Sequence, residues 1–468
     1  MKIEQYYTNC LAQGAYYIEH NGEAAVIDPL REVDQYIELA ESHGAKIKFV
    51  FETHFHADFV SGHVTLSEKT GAPIVFGPMA DPSFDCIVAE DNQEFKIGGL
   101  TIRVLHTPGH TMESTTYLLL DEHKKDIAIF SGDTLFLGDV GRPDLAQKAA
   151  SMTQEDLAGL LYDSLRTKIM TLPDDVVVYP GHGAGSACGK NMSKETVGLL
   201  GEQKQTNYAL RADMTKEEFV KELTDGLLPP PAYFPDNVRM NKIGYTDIDN
   251  VLEKGKKELS PAEAQQLLAD DKTIILDVRH QRDFIAGHIK NSIFIGLDGT
   301  FAPWVGAVLK TVRQPIILVV DENRLEEAIT RLARVGFDHI LGYVKGGLDA
   351  WKNAGLPTET LESIDASELE QQLTAEKSEV VDVRKTTEYQ SEHIVDAVNR
   401  PLDDIDEIVH TFPKDHFYLH CAGGYRSVIA ASILKRNGIH HFTDVAGGFA
   451  AIRDTAIPKT AYICPTTL

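Results

Sequence analysis

The chain has 468 residues, with 45 Lys+Arg against 70 Asp+Glu, a formal net charge of −25 and 43% hydrophobic residues. Such a length and apolar content predict several ordinary globular domains, and the acidic balance excludes a protein that grips nucleic acid or an anionic membrane through Lys and Arg. Five cysteines are too few for a disulfide scaffold, no apolar run reaches membrane-spanning length, and the N-terminus lacks a signal-peptide layout, so a cytoplasmic protein is expected.

In chain order, strands are predicted at Ala24–Asp28, Ile47–Glu52, Ile74–Phe76, Thr101–Leu105, Tyr117–Leu120, Ile127–Ser131 and Val176–Tyr179, each near Gly, Pro or Asn/Asp punctuation. Helical periodicity marks Val33–His43, Thr153–Thr167 and Lys194 to about Thr224. Pro229-Pro230-Pro231 removes three backbone donors and ends any helix before it, and the polar stretch from there to Lys257 reads as a linker. The second half repeats itself. Ile275-Leu276-Asp277-Val278-Arg279 recurs as Val380-Val381-Asp382-Val383-Arg384, Gly287-His288-Ile289 as Glu392-His393-Ile394, and Gly346-Gly347-Leu348 as Gly447-Gly448-Phe449. Alternating strands and helices between these landmarks predict an α/β protein whose second half is two tandem domains with small parallel sheets. The expected domains are 1–257, 258–360 and 361–468.

Several chemistry-bearing residues sit just past predicted strands. His54, His56 and Asp58 follow the first apolar run in Thr53-His54-Phe55-His56-Ala57-Asp58; His110, Asp133 and His182 follow three later strands on Gly-flanked turns. A rigid sheet can converge such loops, and imidazole with carboxylate suits zinc or iron. Metal binding is the expected chemistry.

These residues resemble the metallo-β-lactamase superfamily, whose signature is His-x-His-x-Asp-His followed by a distant His, Asp and His. The resemblance covers about residues 1–230 and implies an αββα sandwich. Phe59 stands where dinuclear members carry a histidine, which leaves one pocket, Asp58 and His182, short of a ligand. The other pocket keeps His54, His110 and Asp133, with His56 adjacent. Within the superfamily, persulfide dioxygenases hold one Fe(II) by two His and one Asp, and the resemblance carries that role to His54, His110 and Asp133, with zinc as a substitute metal. It also implies that Arg142, in Gly141-Arg142-Pro143-Asp144, holds an anionic thiol substrate.

In the last domain, Phe417–His420 reads as a strand and Val428–Asn437 as a helix, joined by Cys421-Ala422-Gly423-Gly424-Tyr425-Arg426-Ser427. A cysteine placed there sits in a nest of backbone N–H groups that stabilises thiolate and then persulfide, and Arg426 adds positive charge for an anionic sulfur donor. The segment resembles the rhodanese active loop, with Cys421 as sulfur carrier, Ala422, Gly423, Gly424, Tyr425 and Ser427 lining the donor site, and Glu388 and Gly447-Gly448 as flanking landmarks. In the first repeat Asp321 occupies the cysteine position, and Glu322-Asn323-Arg324 reads as a loop two residues shorter, so that domain is expected to be inert.

As a whole the chain resembles persulfide dioxygenase–rhodanese fusions of sulfide-detoxifying type. The resemblance implies oxidation of a thiol persulfide of glutathione or coenzyme A type by O₂ to sulfite, with sulfur transfer at Cys421 between sulfite and thiosulfate in either direction. A thiolester hydrolase of glyoxalase II type fused to a sulfurtransferase is the rival reading. A homodimer or homotetramer is expected.

Overall fold

Strand Gln13–His20 sends Tyr16 and Ile18 to one face of its sheet and Ala15 and Tyr17 to the other, and both faces are buried. In the computed structural model, which describes residues 1–145, 147, 151–227 and 229–464, this strand belongs to one of two six-stranded sheets. The first runs in chain order through Lys2–Thr8, Gln13–His20, Glu23–Ile27, Lys46–Phe51, Ile74–Phe76 and Ile87–Val88. The second runs in chain order through Glu94–Ile97, Leu100–His106, Thr115–Leu120, Asp126–Gly132, Val177–Pro180 and Gly198–Leu199. Tyr16, Ile18 and Phe51 of the first meet Phe95, Ile102, Tyr117 and Phe130 of the second in one core.

The outer faces are covered too. Tyr17, Val26 and Val50 pack on Tyr36 and Ala40 of helix Asp34–Ser42, while Leu118, Ile129 and Val178 share a core with Ala158 and Leu161 of helix Gln154–Ser164 and Phe219 of helix Lys216–Thr224. The result is an αββα sandwich, the arrangement that buries both faces of two sheets at once.

The seven predicted strands of this half are present to within a residue or two. Helix His63–Thr70 and strands Ile87–Val88 and Glu94–Ile97 were also not predicted, and three larger features differ. The N-terminal hairpin, Lys2–Thr8 with Gln13–His20, was not predicted. The helix predicted from Lys194 to Thr224 is broken: Gly198–Leu199 pairs with Val177–Val178, helix Leu200–Thr206 stops at Asn207, and Thr215 starts a new helix with a Glu218 capping box. Asn207 ends the earlier helix because its side chain is spent on other backbone, donating to the carbonyls of Phe136 and Asp139 and accepting from Ala209 N–H. The stretch read as a linker contains helices Phe234–Ile243 and Ile248–Gly255.

By packing, the chain divides into one unit of Met1–Asn250, Lys310–Val312 and Leu332–Asp338, and another of Val251–Leu309, Arg313–Arg331 and His339–Leu468. The second unit holds both repeated sheets. One has the strand order Glu258–Leu259, Ile340–Val344, Ile316–Val319, Ile274–Asp277, Ile293–Phe294; the other has Ser363–Ile364, Phe442–Val445, Phe417–His420, Glu379–Asp382, Val398–Asn399. All their pairings are parallel.

The repeat extends to individual hydrogen bonds. Arg279 grips Asp277 and the Gly287 carbonyl, and Arg384 grips Asp382 and the Glu392 carbonyl. His288 stacks on Phe284 at 3.9 Å and donates to its carbonyl, as His393 does with Tyr389 at 3.7 Å.

This register corrects the reading of the first repeat's loop. Asp277 pairs with Val319 and Asp382 with His420, so the residue equivalent to Cys421 is Val320, with Asp321 one place further on. The spans to the glycine pair are equal, 346 − 320 = 447 − 421 = 26. The loop is therefore not shorter. Asp321, expected at the cysteine position, lies one residue past the strand end that the register defines.

Candidate metal centre and sulfur-carrier loop

The metal candidates gather where strands Lys46–Phe51, Leu100–His106, Asp126–Gly132 and Val177–Pro180 end. One donor atom each from His54, His110 and Asp133 lies within 4.8 Å of the others, all three residues buried. His110 Nε2 is 3.4 Å and His54 Nε2 3.9 Å from Asp133 Oδ2. Neighbours fix both imidazoles. His110 Nδ1 lies 2.8 Å from the Arg142 carbonyl, which can only accept, so Nε2 keeps its lone pair. Thr53 donates its hydroxyl to Asp28 and so accepts from His54 Nδ1, leaving His54 Nε2 bare in the same way.

Burial, with His56 beside it, keeps His54 protonated only far below the usual histidine range, so it is a neutral ligand. Burial opposes the charge of Asp133, but the imidazoles of His182, His110 and His54 hold its carboxyl well below the usual carboxylate range. Asp133 Oδ2 is buried with no hydrogen-bond partner. An orphaned carboxylate oxygen facing two bare imidazole nitrogens is what a metal ion satisfies. Space is set by glycine: a Cβ on Gly181 would lie 2.6 Å from Asp133 Oδ1.

The remaining candidates fall into two neighbouring clusters. His56 Nε2 faces Asp28 at 3.2 Å and Glu52 at 3.3 Å. Phe59 is fully buried, its ring 4.4 Å from that of His56. His182 bridges two carboxylates, Nε2 to Asp58 and Nδ1 to Asp133, both at 2.8 Å. Burial opposes its protonation, but these carboxylates push it up to about 10. Cys188 joins this second group: donor atoms of Asp58, His182 and Cys188 lie within 4.8 Å of one another. The pocket that Phe59 leaves short in sequence thus has a sulfur at its edge, six residues past His182 on a loop that no spacing rule identifies. Arg142 pairs with Asp144 through two 2.7 Å bonds and donates to the Ala187 carbonyl.

In the last domain Cys421 is buried, and Gly424 N–H donates to its Sγ at 3.1 Å. Gly424 has φ +87°, a conformation that side chains resist. Behind the loop, Phe449 N–H and Ala450 N–H bond the carbonyls of Cys421 and Ala422, and a Cβ on Gly448 would collide with the Cys421 carbonyl. Gly423 is exposed, and Ser427 is buried beside Asp444. Arg426 opens helix Arg426–Arg436 and is held bidentately by Glu388 at 2.6 and 2.8 Å, so its charge is shared. Tyr425 donates its hydroxyl to the Gly296 carbonyl of the first repeat at 2.7 Å. A cavity of about 300 Å³ beside the loop is lined by Arg384, Glu388, Ala422, Phe449, Arg453 and Tyr462.

Known proteins agree with this architecture. The metallo-beta-lactamase superfamily model matches residues 9–182, and the rhodanese-like domain model matches 260–354 and 365–455. A solved metallo-beta-lactamase from Staphylococcus aureus subsp. aureus COL is 31% identical, with a TM-score of 0.63, covering 74% of this chain and 98% of its own. A cytoplasmic hydroxyacylglutathione hydrolase of Arabidopsis thaliana is 34% identical over 187 residues, 39% of this chain and 67% of that protein. A probable metallo-hydrolase of Burkholderia pseudomallei is 27% identical over 281 residues, 52% of this chain and 92% of its own. The chain belongs to the metallo-beta-lactamase superfamily. It is an enzyme with a His/Asp metal site in that fold, joined to two rhodanese-like domains.

Proposed function

We propose that the chain oxidises a low-molecular-weight thiol persulfide with O₂ and passes sulfur through Cys421, a combination suited to sulfide detoxification in the cytoplasm. The observation that carries this reading is the three-donor set His54, His110 and Asp133, with Phe59 at the position of a second metal's histidine. Two imidazoles and one carboxylate leave several coordination positions open, as a mononuclear iron oxygenase requires. Iron held there would supply the redox chemistry that brings O₂ and the persulfide together. The chain's own part is to keep His54 neutral, to aim both imidazoles, and to hold Asp133 charged.

The overall reaction balances as one persulfide, one O₂ and one water giving the thiol, sulfite and two protons. At the second site a Cys421 persulfide gives its outer sulfur to sulfite, forming thiosulfate and restoring the thiol; the reverse is equally balanced. The carrier thiol is of glutathione or coenzyme A type. Sharing one chain raises the local concentration of the common intermediate.

A thiolester hydrolase is the second reading. It is favoured by the Asp58, His182 and Cys188 group, which offers donors for a second metal, and hydrolases of this fold use two metals to activate water. The deciding experiment gives anaerobically iron-loaded protein either glutathione persulfide or a hydroxyacylglutathione thioester, beside His110→Ala. Oxygen uptake that His110→Ala abolishes supports the dioxygenase. Thioester cleavage with no oxygen uptake moves the assignment to the hydrolase.

A further inference from the structure

The first repeat has valine where the sulfur carrier stands in the second, so its contribution must be sought elsewhere than in its own loop. Its strand Ile293–Phe294 and the turn after it pack on the helix that the catalytic loop begins, Arg426–Arg436. Phe294 N–H donates to Ser432 Oγ at 3.1 Å, and Arg436 donates to the Asn291 carbonyl at 2.9 Å. Both bonds lie along the helix body.

A third contact reaches the loop itself. The Tyr425 ring sits in a notch of the first repeat: its hydroxyl meets the Gly296 carbonyl, its ring stands 5.9 Å edge-on from Phe294, and any Cβ on Gly299 would overlap it. Gly299 is thus a glycine because a tyrosine from the neighbouring domain fills the space. Tyr425 directly follows Gly424, whose N–H holds the Cys421 sulfur, and directly precedes Arg426, which is locked to Glu388. A displacement of Tyr425 carries the Gly424 N–H with it.

We propose that Tyr425 is a positioning residue, and that the inert first repeat acts as the template which sets the sulfur cradle of the second by seating Tyr425 against Phe294, Gly296 and Gly299. This rests on the assignment of Cys421 as sulfur carrier. It gives the first repeat a task that needs no nucleophile: it restricts the loop to the geometry in which a backbone donor faces the sulfur, the kind of preorganisation that favours charge developing on that atom.

The test uses the full chain and three changes, Gly299→Ala, Tyr425→Phe and Tyr425→Ala, with Gly299→Ala/Tyr425→Ala as a double variant. Thiosulfate:cyanide sulfur transfer and hydrogen–deuterium exchange of residues 421–427 are read in parallel. Gly299→Ala is expected to lower kcat about ten- to a hundredfold with little change in KM for thiosulfate, because it moves the cradle without removing any donor-binding group. Tyr425→Phe keeps the ring and is expected to lose less. In the double variant the ring that the new methyl displaces is gone, so it is expected to be no worse than Tyr425→Ala alone. Exchange in the loop should accelerate in Gly299→Ala, while oxygen uptake at the metal centre stays at the parent level. Unchanged exchange in Gly299→Ala, or strictly additive losses in the double variant, overturns the proposal. Faster exchange in Gly299→Ala, where the parent protein itself transfers no sulfur, would instead support the anchor and remove the sulfur-carrier assignment.

Discussion

His182 lies between two carboxylates, its Nε2 2.8 Å from Asp58 and its Nδ1 2.8 Å from Asp133. Because Asp133 is also the carboxylate of the three-donor group, His182 fixes the rotamer in which Oδ2 faces His54 and His110. Removing such an outer support typically costs about 10–100-fold in metal affinity. His182→Gln is therefore expected to weaken metal retention by that order while leaving some metal bound, whereas His110→Ala removes a ligand and abolishes it. Metal content after dialysis against a graded chelator series distinguishes the two.

Gly181→Ala tests the same centre through space alone. Its new methyl would press on Asp133 Oδ1, so metal affinity is expected to fall without any donor being deleted. Unchanged affinity would mean that the turn relaxes at no cost to Asp133.

Glu388 shares the charge of Arg426. Glu388→Gln is expected to lower KM for thiosulfate, a dianion, by about three- to tenfold, because one nearby negative charge is gone at partial burial. A raised KM would show that the carboxylate acts by aiming the guanidinium.

Asp444 carries a pH prediction. Burial pushes its carboxyl up to about 6, from the ordinary 3.8. Between those values the folded chain holds a proton that the unfolded chain releases, so stability falls as pH rises through the window and stays reduced above it. Asp444→Asn is therefore expected to be more stable than the parent at about pH 7.5, by on the order of 1–3 kcal/mol, with the advantage shrinking toward about pH 4. Paired thermal melts at the two pH values check it.

Cys421→Ser separates the two proposed chemistries. Oxygen uptake with glutathione persulfide is expected to persist while the product shifts from thiosulfate toward sulfite, measured by separating the two anions.

The strands of the sandwich were legible because each is an apolar run closed by turn residues, and each metal candidate follows such a run directly. The Cys421 loop stood out in sequence because a cysteine, two glycines and an arginine lie together between a strand and a helix. Where sequence failed, the missing information was spatial. The break at Asn207 depends on carbonyls contributed by Phe136 and Asp139, far away in the chain. Cys188 approaches Asp58 and His182 through a loop whose course no periodicity encodes. The equivalence of Val320 and Cys421 is a matter of strand register, visible only once Asp277 and Asp382 are paired with their neighbours.

The paired Arg–Asp–carbonyl braces have a practical consequence. Since both repeats keep the brace, and both span equal distances from strand end to glycine pair, the first repeat is a ready-made recipient for a transplanted loop. Replacing Val320–Leu325 with the Cys-Ala-Gly-Gly-Tyr-Arg segment alters no flanking length, and the glycine pair already has the left-handed angles that such a loop leans on, φ 72° and 56° against 75° and 56°. A chain built that way would show whether the brace and the glycine pair are enough to make a sulfur-carrying loop in the first repeat.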